Sequence, residues 1–376
     1  ITLYDLTNTF FEGEAKTNSQ AQRGRSKEKR CDCPLVTLGL VLDGSGFPRK
    51  SQIFPGNASE PQTLKTMLQG LSGQPGSTVI LDAGIASEEN IEYLIEQHYK
   101  YIVVSRKQKR DFDENKATVI KDIPGQTVKV QRVIVEETGE VELYCHSELR
   151  EKKEQAMQDS FAEKYELALG SLHNGLSKKG NTKKYTKVLE RIGRLKEKYA
   201  RAAQHYDVTV TADEAQLNAL SIEWKRVEKS NSQATHPGVY CLRSNLTDWD
   251  EETLWRTYTM LTDLEGVFRS LKSELGLRPI YHHKEERVNG HIFITLIAYH
   301  LVQTLRVQLK TEDCHDSWQT IRRKVENQQR ITVTLQREDG KTIHLRKATK
   351  AEPQQSDLYK MLGISEQPGG IKKTLI

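Results

Sequence analysis

Two aspartates lie inside otherwise apolar segments of the sequence. Asp5 is flanked by leucine and tyrosine in the run ITLYDLTNTFF, and Asp82 ends the run STVILD. Burying a carboxylate is costly unless something compensates its charge, and Mg²⁺ prefers carboxylate oxygens together with retained waters. The pair therefore indicates a divalent-metal site if the two strands are neighbours. A turn or capping role for each aspartate is the alternative.

A third carboxylate, Glu265, lies in a segment whose apolar residues recur every three or four positions, a pattern typical of an amphipathic helix. Tyr258 is seven residues earlier and Lys272 seven residues later, so all three lie along one helical line. Such a line could hold one metal ligand with groups that contact DNA phosphates on either side. A structural stripe of salt bridges explains the same spacing.

The segments around the two aspartates follow the order three strands, helix, strand, helix, strand. The strand over residues 35–42 ends at the turn-forming pair Asp43-Gly44, and a helix begins after Ser59 with a proline in its first turn. The predicted fold class is α/β, with a ribonuclease-H-like mixed sheet flanked by helices. Other mixed α/β sheets share this order of elements. On a ribonuclease-H-like sheet the first and fourth strands are neighbours, which would bring Asp5 and Asp82 together.

The rest of the chain predicts an insertion and a tail. We expect the first part of the catalytic core over residues 1–105 and an insertion, β-rich and then helical and basic, over 106–237. The second part of the core, with the Glu265 helix, covers 238–310. The tail, 311–376, contains a hairpin with its turn at Asp339-Gly340. A helix centred on residues 291–305 is apolar nearly all round and is expected to be core.

Positive charge is concentrated in short stretches. The net charge is +5 at pH 7, yet residues 170–206 alone carry ten Lys/Arg against two Glu, and residues 16–30 are also basic. Basic segments on a protein without membrane signals are typical of a polyanionic partner, most often nucleic acid. The candidates for contact with the DNA backbone are Lys178, Lys179, Lys183 and Lys184. A solvated helix face is the alternative.

Composition excludes several classes of protein. With 36% hydrophobic and 28% charged residues, the chain has enough apolar material for a core and is not wholly disordered. No apolar run is long enough to predict a membrane span. Five scattered cysteines argue against a disulfide framework and favour a cytoplasmic location. The chain opens directly on a strand-like run at Ile1, which suggests a fragment that lacks its natural N-terminus.

Several long segments carry a family resemblance, among them LYDLTNTFFEG, FPGNASEPQTL, VILDAGIASEENIEYL and LEGVFRSLKSELGLRPIYHH. They resemble the DDE transposases of bacterial insertion sequences, in particular the group named for insertion sequence four. In that group the third acidic residue lies in a signature of Tyr, two residues, Arg, three residues, Glu, six residues and Lys. Tyr258, Glu265 and Lys272 match this pattern, whereas Leu261 occupies the arginine position. Arg269 is a candidate substitute for that charge.

The resemblance implies a function and a site. Asp5, Asp82 and Glu265 would be the catalytic residues and would hold two Mg²⁺ or Mn²⁺ ions. The enzyme would cut the ends of a transposable element and join the freed 3′-OH to target double-stranded DNA. Tyr258, Arg269 and Lys272 would contact DNA, and the DNA-bound synaptic complex would contain a dimer. Location would be the bacterial cytoplasm, on the nucleoid when bound to DNA, with no membrane partner.

Two other functions remain open at this stage. A structure-specific nuclease on the same fold would cleave DNA without joining it. A domesticated, non-catalytic DNA-binding protein would retain the charged surfaces and lose the reaction. A strand-transfer assay separates the first from a transposase, and the three carboxylates argue against the second.

Overall fold

The strands and helices follow the apolar runs of the sequence closely. The computed structural model describes residues 1–25, 30, 32–71, 76–107, 112–227 and 236–376. The strands are β1 (Thr2–Phe10), β2 (Leu35–Asp43), β3 (Pro48–Pro55), β4 (Thr78–Leu81), β5 (Lys100–Val104), β6 (Thr118–Lys121), β7 (Val128–Ile134), β8 (Val141–Ser147), β9 (Tyr206–Ala212), β10 (Ala219–Arg226), β11 (Val239–Ser244), β12 (Arg330–Gln336), β13 (Thr342–Ala348) and β14 (Lys372–Leu375).

The helices are α1 (Glu60–Leu68), α2 (Glu88–Glu96), α3 (Glu148–Leu176), α4 (Tyr185–Lys198), α5 (Ala200–Ala203), α6 (Glu251–Ser273), α7 (Glu285–Thr311), α8 (Trp318–Val325) and α9 (Pro353–Met361). The result is a mixed α/β fold, as predicted. The chain divides into two units, one of Ile1–Tyr99 with Tyr258–Ile376 and one of Lys100–Thr257. The predicted boundaries at residues 105, 237 and 310 stay predictions.

The first unit is built on a mixed sheet in the order β3-β2-β1-β4. The first three strands form the predicted antiparallel meander, in which β1 pairs with β2 and β2 with β3. β4 lies parallel to β1. β2 is buried along almost its whole length, because a strand with elements on both faces needs apolar residues at successive positions.

The two faces of β1 have different neighbours. The Tyr4 hydroxyl donates to Thr63 Oγ1 of α1 at 2.6 Å, so the even-numbered residues of β1 face α1. The Thr9 hydroxyl donates to the backbone oxygen of Leu277, which follows the end of α6, at 3.0 Å. Because side chains alternate along a strand, Asp5 lies on the same face as Thr9.

α6 runs along this second face in the direction of β1. Near the start of α6 in this unit, Met260 lies close to Gly44: a methyl group added to Gly44 would be 3.4 Å from Met260 Cε. Gly44 follows Asp43, and Asp43 pairs with Thr2 at the start of β1. After α6 ends, Leu277 contacts Thr9 near the other end of β1. A helix rises about 1.5 Å per residue and a strand about 3.3 Å, so Glu265 is level with Asp5 to within roughly one helical turn.

The expectation that the helix around residues 291–305 is wholly core is wrong. α7 buries one stripe, which includes Ile292 and Tyr299, but leaves Phe293, Ile294 and Leu301 each more than 60% exposed. In the described part of the chain, α7 is the one helix long and apolar enough to cross a bilayer. Core helices of water-soluble proteins pass the same test, so this observation assigns it no membrane role.

The second unit contains an antiparallel sheet in the order β5-β11-β8-β7-β6. Strands β6 to β8 occupy the predicted β-rich region. A nearly buried ion pair joins Arg243 of β11 to Glu140 at 2.9 Å, and Tyr101 of β5 also donates to Glu140. Since breaking a buried pair leaves an uncompensated charge, these bonds fix the register at this end of the sheet.

A helical layer completes the second unit. α3, α4 and α5 pack with a hairpin of β9 and β10 around two small cores, one centred on Tyr165 and Tyr206 and one on Val188 and Ile222. This hairpin was not predicted from the sequence. Burial raises the pKa of Tyr206 to about 12, and its hydrogen bond to the Glu166 carboxylate acts in the same direction.

The tail has its own small core and a separate sheet. Leu309, Ile321 and Leu358 pack together from α7, α8 and α9. The predicted hairpin is present as β12 and β13, and β14 adds a third strand on the other side of β13. Cys33, Cys145, Cys241 and Cys314 are free thiols, and Cys31 lies outside the described residues.

Candidate active site and DNA-binding surface

The pairing of β1 with β4 ends one residue before each aspartate. The parallel register runs Thr2 with Val79, Leu3 with Ile80 and Tyr4 with Leu81. Asp5 continues β1, whereas Asp82 directly follows the last residue of β4. The structure thus places both residues at the same end of one strand pair, and the convergence of their carboxylates stays a prediction.

Each aspartate is held by a local backbone bond. Asp5 is half-buried, and its Oδ1 accepts the N–H of Leu6 at 2.7 Å. Asp82 is exposed beyond the end of β4, and its Oδ1 accepts the N–H of Gly84. Each local bond uses one oxygen of the carboxylate and orients the group relative to the backbone.

A further carboxylate, Glu60, lies close to this pair and was not singled out from the sequence. A methyl group on Gly84 would lie 2.6 Å from Glu60 Oε2 and 3.0 Å from Asp82 Oδ1. Burial raises the pKa of the Tyr4 hydroxyl; its bond with Thr63 lowers it, and the negative charges of Asp5 and Glu60 raise it again. Glu60 is the first residue of α1, directly after Ser59. Its place in the segment FPGNASEPQTL was the one feature of the sequence that could have pointed to it.

Glu265 lies on α6 with its side chain exposed. Val267, Phe268 and Leu271 form the buried side of the helix, so the predicted apolar stripe is present. Tyr258 and Lys272 are half-buried and Arg269 is exposed. The convergence of Glu265 with Asp5 and Asp82 stays a prediction.

The donor set suits a hard divalent cation in part. Asp5 and Asp82 lie at the same end of two paired strands, and carboxylates are the ligand type that Mg²⁺ selects. Within the described residues, however, no group of three or more His, Cys, Asp or Glu side chains lies close enough to hold a metal ion. The aspartate pair therefore fits a metal, and a third protein ligand is not assembled.

The candidate DNA-contacting lysines lie in the second unit, between the end of α3 at Leu176 and the start of α4 at Tyr185. Lys178, Lys179, Lys183 and Lys184 are all exposed. Of the ion pairs between described residues, none involves these four ammonium groups. Four unpaired cations in one exposed segment suit a polyanion. In the other basic stretch, residues 26–29 lie outside the described residues.

No match was found among curated proteins. The cryo-EM structure of the piggyBac transposase synaptic complex with hairpin DNA is similar at a TM-score of 0.22 and 10% sequence identity; the match covers 90% of this chain and 59% of that chain.

The family comparison covers most of the sequence. The model of the transposase DDE domain matches residues 9–301, a range that contains Asp82 and Glu265 and begins four residues after Asp5. The resemblance to DDE transposases is thereby confirmed, while the narrower group named for insertion sequence four stays a prediction. The chain belongs to the family of proteins with a transposase DDE domain.

Proposed function

We propose that this protein is a DNA transposase that cleaves the ends of a transposable element and joins the resulting 3′-OH to target DNA. The observation that carries the proposal is the parallel β1–β4 pairing, which ends one residue before Asp5 and Asp82, in a chain of the DDE family. The β3-β2-β1-β4 order supports a ribonuclease-H-like core. In the proposed organisation, residues 106–237 form its insertion.

In the proposed site, Asp5, Asp82 and Glu265 are the ligands of two Mg²⁺ or Mn²⁺ ions. Such ions would activate the attacking oxygen and stabilise the leaving oxygen of the phosphodiester. Support for Glu265 comes from the path of α6, which follows the Asp5 face of β1 and reaches Glu265 at about the level of Asp5. In the proposed complex with DNA and metal ions, Glu265 would join the two aspartates.

The remaining residues have the proposed role of holding DNA. Lys272, Arg269 and Tyr258 lie on the same helix as Glu265 and would contact phosphates beside the scissile bond. The four lysines of the second unit would contact the backbone without reading its sequence, because exposed ammonium groups bind phosphate mainly as point charges. Two copies of the protein would hold two element ends in the synaptic complex.

The test is Glu265→Gln in the full-length protein, assayed on DNA that carries the element's ends. The amide keeps the shape but loses the charge, so end cleavage and strand transfer in Mg²⁺ should both fall by about 10³-fold or more, as expected for loss of several kcal/mol of charge stabilisation. DNA binding should be unchanged. Glu252→Gln is the matched control, since Glu252 lies on the same helix in an exposed ion pair with Arg256 that contributes little.

Three results would contradict the proposal in different ways. Near-normal cleavage by Glu265→Gln would mean that the third ligand lies elsewhere. Cleavage without joining by the unmodified protein would favour a structure-specific nuclease. DNA binding with neither reaction, in Mg²⁺ or Mn²⁺, would favour a non-catalytic DNA-binding protein.

A further inference from the structure

The C-terminal sheet has two chemically different faces, which its register defines. Thr332 pairs with Arg346, and Thr334 with His344; on the other side of β13, His344 pairs with Thr374 and Arg346 with Lys372. Directly paired residues share a face. One face of the sheet, here called the basic face, therefore carries Thr332, Thr334, His344, Arg346, Lys372 and Thr374. Arg330 lies at the edge of the same face, where it donates to the backbone oxygen of Gly369.

The opposite face is apolar at most positions. Val333 pairs with Leu345, and Leu335 with Ile343, while Ile343 also pairs with Leu375. Two lysines, Lys347 and Lys373, lie on this apolar face, each next in sequence to a cation of the basic face. The two faces thus carry matched pairs of cations on the same two strands.

Charge on this sheet is entirely of one sign. The strands β12, β13 and β14 contain five Lys/Arg and no Asp or Glu. Arg346 and Lys372 are exposed and lie directly opposite each other, an arrangement that destabilises a sheet unless an anion lies nearby. Among the described residues, neither forms a salt bridge or a side-chain hydrogen bond with protein, whereas Arg337 and Lys324 of the same tail are both paired with aspartates.

We propose that the basic face binds the sugar–phosphate backbone of duplex DNA, independently of base sequence. Arg346 and Lys372 would bind phosphate oxygens, and the threonine hydroxyls around them are donors of the kind that make backbone contacts. The Thr334 hydroxyl and His344 Nδ1 are 3.0 Å apart, which orders the centre of the face. This inference rests on the proposed function and adds a DNA contact outside residues 9–301, the part of the chain that matches the DDE domain.

The experiment compares two double variants of the full chain, R346Q/K372Q on the basic face and K347Q/K373Q on the apolar face. Each removes two positive charges from neighbouring positions of the same two strands, so any effect of overall charge is the same in both. Binding to a duplex of random sequence is measured by fluorescence anisotropy between about 50 and 200 mM salt, a range in which each phosphate contact contributes roughly 0.9 to the slope of log K against log salt.

We expect R346Q/K372Q to reduce that slope by about 1.8, two contacts at 0.9 each, and K347Q/K373Q to leave it unchanged. Equal reductions in both variants would mean a general charge effect and would overturn the inference, as would no reduction in either. Mass by light scattering should be the same for all three proteins, and neither variant should melt at a lower temperature than the unmodified protein, which shows that both variants are folded. A change of mass in R346Q/K372Q alone would make the basic face a self-association surface, which also overturns the inference.

The same titration separates this inference from the proposed function. If the unmodified protein binds no DNA at any salt concentration, the proposed transposase function fails together with the inference. If it binds with a normal salt dependence that R346Q/K372Q does not alter, only the role of the C-terminal sheet fails.

Discussion

The strand pair β1–β4 and the lysine segment between α3 and α4 differ in how the backbone holds their charged residues. Asp5 and Asp82 follow fully or almost fully buried residues, Tyr4 and Leu81, on strands whose register is set by pairing. The four lysines occupy an exposed connection that includes Gly180, whose φ of +90° lies in the region that glycine tolerates best. Asp5 lies on a packed strand and Asp82 directly follows one, whereas a loop carries the lysines.

This difference matches the chemistry of the two proposed partners, a divalent metal ion and a DNA backbone. A divalent ion requires oxygen ligands at defined distances, so carboxylates that bind one must be held by packed strands. A DNA backbone presents charges at regular intervals, and its affinity depends on how many phosphates are neutralised rather than on one fixed geometry. The comparison therefore predicts that single changes are severe at the strand pair and that only several changes together are severe at the lysine segment.

The largest effect should come from Asp82→Asn. Removing one charge of the proposed metal-binding pair should lower Mg²⁺-dependent end cleavage by about 10³-fold or more, because charge stabilisation by a metal site amounts to several kcal/mol and each 1.36 kcal/mol is tenfold in rate. Single-turnover cleavage measures it, and calorimetric titration with Mn²⁺ should show weakened metal binding.

The control for this prediction is Glu89→Gln in the same unit. Glu89 forms an exposed ion pair with Lys65 at 2.8 Å, and exposed pairs contribute little to stability, so cleavage should stay near that of the unmodified protein. If Asp82→Asn and Glu89→Gln cleave equally well, the strand pair is not the catalytic site.

The second prediction concerns the lysine segment. Changing Lys178, Lys179, Lys183 and Lys184 together to Gln should reduce the slope of log K against log salt by up to about 3.6, because each phosphate that a lysine no longer neutralises lowers the slope by roughly 0.9. Any one of the four changes made alone should reduce the slope by about a quarter of that amount. Cleavage at low salt should largely survive, since the carboxylates are untouched.

Four paired lysines provide the matched control for the lysine segment. They are Lys65, Lys116, Lys129 and Lys152, each of which forms an ion pair with a carboxylate. Their change to Gln removes the same total charge, yet the slope should hardly move because their charges are already neutralised. Equal slopes for the two quadruple variants would show that the segment between α3 and α4 has no special role.

Local patterns predicted the strands well, because the signals for a strand are local. The run at 78–81 is apolar at every position after Thr78 and became β4, and the Asp339-Gly340 turn between alternating residues became the β12–β13 hairpin. The placement of Asp5 and Asp82 at the same end of one strand pair was reached only through a presumed strand order. Their parallel register joins segments more than seventy residues apart in sequence, which no local pattern encodes.

Other features depended on packing and were missed for that reason. α7 is apolar around most of its circumference, so its sequence could not show which face the sheet would cover; Phe293 and Leu301 remained exposed. Glu60 looked like an ordinary acidic residue in a first helical turn, a position favoured by the helix dipole. Its approach to Asp82 depends on how α1 packs on β1 through the Tyr4–Thr63 bond.

The smallest predicted effect tests whether a small displacement of the Asp82 side chain lowers the rate of cleavage. In Gly84→Ala the added methyl group would lie 2.6 Å from Glu60 Oε2 and 3.0 Å from Asp82 Oδ1. Glu60 can swing away because the contact is with the end of a flexible side chain, so the melting temperature should hardly change. Cleavage should fall by about tenfold, because displacement of a reacting or ligating group by up to an ångström lowers rates by as much as a hundredfold.

Two further variants decide whether that decrease arises from the contact with Glu60. Gly290→Ala adds the same methyl group to α7, where nothing lies within 4 Å, and should leave cleavage unchanged. Combining Gly84→Ala with Glu60→Ala removes the obstruction, so if the contact is the cause, the double variant should cleave no worse than Glu60→Ala alone, a non-additive result. Decreases that multiply instead would mean that the methyl group disturbs Asp82 directly and independently of the Glu60 carboxylate.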